Sequence, residues 1–205
     1  MNNRYILLSA QIISTLFTPF YMPTVAFVAL LMFSYLSRLE FAQKCYMVFM
    51  VYIFTVLIPR IIIYFYRKEM GLSRLQLSER TNRYVPYIIS IVSYTALLCV
   101  MKALHLPHFC VPIVAAALLI QIICAVVNNW MKVSTHAASS GGVIGMLFAF
   151  SIIFNFNAVY WIALCVFLCG CVCSARMVLR QHTYRELFCG VLIGIFSGWM
   201  SVIAI

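Results

Sequence analysis

The chain has 205 residues, 65% of them hydrophobic and 9% charged, and a mean hydropathy of +1.05. Soluble domains carry about 25% charged residues, so a water-soluble domain is excluded and an all-α, multi-pass bundle of membrane helices is expected. The net charge of +10 comes from 14 Lys and Arg against four acidic residues, Glu40, Glu69, Glu79 and Glu186. With no Asp at all, aspartate-rich magnesium sites for pyrophosphate and aspartyl-phosphate chemistry are both excluded.

A helix needs roughly 20 apolar residues to cross a ~30 Å hydrocarbon core, and the chain offers six to seven such runs in one integral membrane domain, residues 1–205. Residues 5–37 are apolar but broken by Pro19 and Pro23. They predict a kinked, strongly tilted helix, with a re-entrant segment as the second reading. Nothing there resembles a cleaved signal peptide, because the apolar stretch after Arg4 is too long and lacks a small-residue cleavage site. A polar turn at Ser37–Glu40 leads into a span over 41–66. Arg60, inside it, is close enough to the end to snorkel to the surface.

Arg67 to Arg83 is the longest polar segment. Spans at 84–103 and 109–131 follow, joined by a turn at His105-Leu-Pro-His108 whose histidines read as interfacial. The fifth span runs from after His136 to about Phe154 and the sixth over 157–175, with Asn155-Phe-Asn157 as their turn. The last helix starts near Glu186. The cysteines lie mostly within apolar runs, so Cys169-Gly-Cys-Val-Cys173 reads as small packing residues and not as a metal site. Gly190, Gly194 and Gly198 form a bare stripe on which another helix backbone can approach closely.

If each run crosses once, the loops at 67–83, 131–138 and 175–186 all fall on one membrane face. They hold most of the ionisable side chains. A phosphate group in a poorly solvated place needs fixed cations and backbone donors. Lys132, Arg176, Arg80 and Arg83 offer the cations, and Ser134, at a helix start, offers a hydroxyl and free amides. His182 and Glu186 are four apart, so the carboxylate can hold the imidazole. That pair suits attack on phosphorus, and His136 suits protonation of the leaving oxygen. No metal and no other cofactor is called for. Arg180 and Arg185 read as contacts to lipid headgroups, and Arg67, Lys68 and Arg74 as topology-setting cations.

Val133-Ser134-Thr135-His136 and Ala175-Arg176, five residues, His182, three residues, Glu186 together resemble the signature of the type 2 phosphatidic acid phosphatase superfamily, which shares its site with vanadium haloperoxidases. The superfamily pattern is Lys-six-Arg-Pro, then Pro-Ser-Gly-His, then Ser-Arg-five-His-three-Asp. The resemblance covers about 74–198, leaving 5–66 as additional N-terminal spans. It implies that His182 is the phosphorus nucleophile, that Glu186 orients it and that His136 is the general acid. Three departures stand out. Arg80-Thr-Asn-Arg83-Tyr-Val-Pro86 lacks the first motif's Lys, a cation that Lys132 can replace. Glu186 is one methylene longer than Asp. Thr135 puts a side chain where Gly lets backbone approach phosphate.

The function expected is therefore metal-independent hydrolysis of a lipid phosphate or diphosphate, phosphatidic acid-like or polyprenyl, through a phosphohistidine. The alternative is an inactive lipid-phosphate-binding or transport protein of the same fold. The bilayer and the lipid phosphate are the partners expected. Nucleic acid is not, since the cations flank spans and form no soluble basic domain. Oligomeric state is left open. With Arg80, Arg83, Lys132 and Arg176 set aside, the site face still carries Arg4, Arg67, Lys68, Arg74, Arg180 and Arg185 against Arg38, Lys44 and Lys102, a bias toward the cytoplasm.

Overall fold

Residues 2–77 and 79–204 are described by a computed structural model. Ser78 and the side chain of Arg74, counted above among the topology-setting cations, lie outside the described part. Eight main helices follow one another: α1 (Asn2–Leu16), α2 (Met22–Phe33), α3 (Phe41–Glu69), α4 (Tyr84–Ala103), α5 (Val111–Val127), α6 (Thr135–Ile153), α7 (Val159–Val178) and α8 (Tyr184–Ile203). Single turns at 35–38, 74–77, 81–83 and 108–110 link them. The described residues form no strand. Helices α3 to α8 are each long and apolar enough to cross a membrane.

The first apolar run differs from its expected single kinked helix. Pro19 and Pro23 break it outright into α1, which packs against α7, and α2, which packs against α3, α5 and α6. At 1.5 Å per residue, their 15 and 12 residues reach only about 22 and 18 Å, too short for an upright crossing by either. Helix α3 meets its own proline differently. Residues Ile53–Leu57 form a π turn just ahead of Pro59. There the Ile58 N–H bonds back five residues to the Ile53 carbonyl. On that spacing Pro59, lacking an N–H, leaves the Phe54 carbonyl without its helical donor. The Ser93 hydroxyl of α4 donates to that carbonyl at 2.5 Å, so this acceptor is not stranded in the apolar interior.

At the bundle's centre, α6 is lined with small buried residues, Ala137 through Gly142 and Gly145. It meets the glycine stripe of α8 backbone to backbone. A Cβ on Gly194 would lie 2.0 Å from the Ala138 carbonyl oxygen, and one on Gly198 2.2 Å from that of Gly142. In the opposite sense, a Cβ on Gly145 would lie 2.1 Å from the Ile195 carbonyl oxygen. Lipid tails are as apolar as Leu, so helices in a bilayer associate through such close packing and not through the hydrophobic effect. A larger core around Phe27, Leu31, Met50, Tyr94, Leu97 and Val114 fills the space among α2, α3, α4 and α5.

Gly194→Ala should therefore lower the unfolding midpoint of the detergent-solubilised protein, with a loss of about 1–3 kcal/mol typical of overpacking. Gly170→Ala is the control. Its Cβ would meet nothing within 4 Å, and the change should leave the midpoint unchanged or raise it slightly through the gain in helix propensity.

Candidate functional site

The three loops meet at one end of the bundle, where hydrogen bonds tie them together. Arg83, just ahead of α4, donates from Nη1 to the Val133 carbonyl at 2.9 Å. Arg80 Nε donates to the Asn128 carbonyl at 2.7 Å, and Asn128 Nδ2 returns a bond to the Arg80 carbonyl at 3.0 Å. Lys132 Nζ donates to the Gln181 carbonyl at 3.2 Å. The Ser134 N–H points at the Glu186 carbonyl oxygen, 3.4 Å away.

Helix α7 extends past its expected end at 175, so Arg176 lies in its last turn and is buried. The helix then stops at Arg180, which adopts the left-handed conformation (φ 51°). The Gln181 N–H bonds to the Arg176 carbonyl at 3.2 Å, the six-to-one closure of a helix end. Helix α8 opens at Tyr184, so His182 stands in the short link ahead of it. His182 Nδ1 meets Glu186 Oε2 at 2.6 Å. Glu186 sits in the first turn of α8, where free backbone N–H groups favour a carboxylate.

The His182 side chain is only 1% exposed. Burial, and then the charges of Arg176, Arg83 and Lys132 and the nearby His136, push its pKa from the ordinary 6.5 down to about 2. The imidazole is therefore neutral near pH 7. With Nδ1 engaged by Glu186, Nε2 carries the available lone pair. Partial burial, followed by repulsion from Arg83, also lowers the pKa of the Lys132 ammonium.

Ser134 caps α6, its Oγ accepting from the Ala137 N–H at 3.4 Å, and it is fully buried. His136 follows in the first turn. With Thr135, Arg83 and Arg176 it lines a cavity of about 240 Å³ that continues past Tyr87 to Gln121. His136 Nδ1, Arg176 Nε and the Tyr87 hydroxyl are buried there without hydrogen-bond partners. Buried polar atoms are seldom left unpaired, and an anion with several acceptor oxygens would satisfy the two donors among them.

The structure thus brings His182, Glu186, His136, Arg176, Arg83, Lys132 and Ser134 to one place. It does not bring Arg80. That side chain is exposed, its Nε is given to Asn128, and it does not line the cavity. Among the described residues, no group of three or more His, Cys, Asp or Glu stands close enough to hold a metal ion.

Sequence reasoning overlooked Ser14, whose Oγ accepts from Arg176 Nη1 at 2.9 Å. It also overlooked Thr18, Pro19 and Phe20, which wall the cavity at the break between α1 and α2. Hydroxyls and a proline at the end of an apolar helix were the only available signal, and they carry no motif. No protein-family model, no curated protein and no solved structure matches this chain.

Because the folded protein holds His182 neutral while the unfolded chain takes up a proton below about pH 6.5, this group's contribution is fully present above that pH. It is lost progressively as pH falls toward the lowered folded value. The unfolding midpoint of the wild type should fall between pH 7 and pH 5 more steeply than that of His182→Asn; parallel declines would contradict the buried neutral imidazole.

Proposed function

We propose that this chain hydrolyses a lipid phosphate or diphosphate within the membrane, as a member of the type 2 phosphatidic acid phosphatase superfamily, without a metal and through a phosphohistidine at His182. The observation that carries this reading is the buried His182 ring, held by Glu186 at 2.6 Å with Arg83, Lys132 and Arg176 near enough to act on it. An imidazole must be unprotonated to attack, and three cations suit the charge that spreads over the transferring phosphoryl oxygens.

In the first step Nε2 of His182 forms a bond to phosphorus as the P–O bond to the lipid breaks. The departing oxygen takes a proton from His136. In the second, water loses a proton to His136 and attacks phosphorus, the N–P bond breaks, and inorganic phosphate leaves. Ser134 and the amides at the start of α6 add donors to the phosphoryl oxygens. The lipid tail lies among the apolar spans. The excess of Lys and Arg at this end of the bundle favours a site on the cytoplasmic side.

One observation favours a second reading, binding or transport without chemistry. The cavity is lined by His136, Arg83 and Arg176, and His182 is not on its wall. The two readings separate when the purified protein is incubated with a panel of lipid monophosphates and diphosphates and free phosphate is measured. The wild type should release phosphate in the presence of excess chelator, and vanadate, which adopts the five-coordinate geometry of the transition state, should inhibit. His182→Ala should fall to the uncatalysed background while remaining folded and membrane-inserted. Full turnover in that variant would remove the phosphohistidine, and binding with no turnover in the wild type would favour the second reading.

A further inference from the structure

Helix α1 lies far outside the motifs that suggest hydrolysis, yet it touches the site at Arg176. Its exposed side chains are those a lipid-facing helix would show. Its packed ones, Ala10, Ile13, Ser14 and Phe17, follow the 3-to-4-residue spacing of a single stripe. Ser14 is the polar member of that stripe and is buried. Its Oγ accepts from Arg176 Nη1 at 2.9 Å, across 162 positions of sequence.

That contact has a chemical consequence. Arg176 is a buried guanidinium with no carboxylate salt-bridged to it among the described residues. Fixing Nη1 on a neutral hydroxyl sets the orientation of the planar fork without neutralising it. Nε, which has no partner, is left available to an anion.

We infer that Ser14 is a positioning residue of the site, aiming the Arg176 guanidinium at the phosphoryl group, so that α1 is part of the phosphate-handling machinery and more than a membrane anchor. This rests on the hydrolase reading above. It extends the site to a segment that the motif resemblance, starting near residue 74, does not reach.

The test measures orthovanadate affinity, kcat and KM for lipid phosphate, and the unfolding midpoint, all on the full chain in detergent. Ser14→Ala removes the acceptor. It should weaken vanadate binding and lower kcat by about tenfold each, the size expected for one lost hydrogen bond to a charged group, with KM for the lipid moving less. Ser14→Thr keeps the hydroxyl and should restore vanadate affinity. Ala10→Leu overpacks the same stripe one turn away; it should lower the midpoint while leaving vanadate affinity as in the wild type.

Vanadate affinity and kcat within twofold of wild type in Ser14→Ala would overturn the inference and leave the hydrolase reading intact. Equal loss of vanadate affinity in Ala10→Leu would also overturn it, by showing that any disturbance of α1 is enough. A wild type that neither binds vanadate nor releases phosphate would remove both the reading and the inference.

Discussion

Side by side, α6 and α8 come so close that no side chain fits between them at Gly141, Gly145, Gly194 or Gly198, where an added Cβ would lie 2.0–2.4 Å from a carbonyl oxygen of the other helix. The approach begins at the very end of α8 that carries the site. At Gly190 the nearest atom is the Ser134 carbonyl oxygen, 2.7 Å from where a Cβ would be, and the Ser134 N–H faces the Glu186 carbonyl. The capping residue of one helix and the first-turn carboxylate of the other are therefore set against each other by backbone packing alone. His136 lies two residues after Ser134, and His182 is held by Glu186. The spacing of the two imidazoles follows from where the glycines allow the helices to touch.

The second constraint is electrostatic. Arg83, Lys132 and Arg176 act together on one buried imidazole, and Glu186 is the carboxylate bonded to it. In a region of low dielectric, such an excess of positive charge is costly to hold with nothing to offset it. The protein disperses it through neutral acceptors: the Val133 carbonyl for Arg83, the Gln181 carbonyl for Lys132 and the Ser14 hydroxyl for Arg176. These bonds fix the cations in space without consuming their charge. An anionic ligand entering the cavity meets a field that is already oriented, the condition under which electrostatic stabilisation is most effective.

The N-terminal segment changes in standing once the fold is seen. By composition it is an extra membrane anchor. In the structure its proline break forms one wall of the cavity, and its first helix supplies the partner of Arg176. A site open on that side would expose the guanidinium to water or lipid. Covered by α1 and α2, it faces one cavity.

Six helices long and apolar enough to cross a membrane were legible because apolar runs of that length report themselves directly, and all six of their starts fell within about two residues of expectation. Most of the site was legible as well, since Ser134, His136, Arg176, His182 and Glu186 stand at fixed spacings on adjoining segments. Other features depended on partners far away in sequence. Arg80 and Arg83 look alike in the chain, and only the position of Asn128 draws one away while Val133 holds the other beside the cavity. Pro19 and Pro23 signal a bend, but whether they kink or break the helix is decided by what packs on either side. Ser14 in an apolar run has no meaning until α1 lies on α7. Local spacing indicated which groups could share a site; the glycine-mediated docking of α6 on α8 and the return of the N-terminus onto α7 decided which lie together, because hydrogen bonds and charge act over a few ångströms and the chain alone does not say what lies that near.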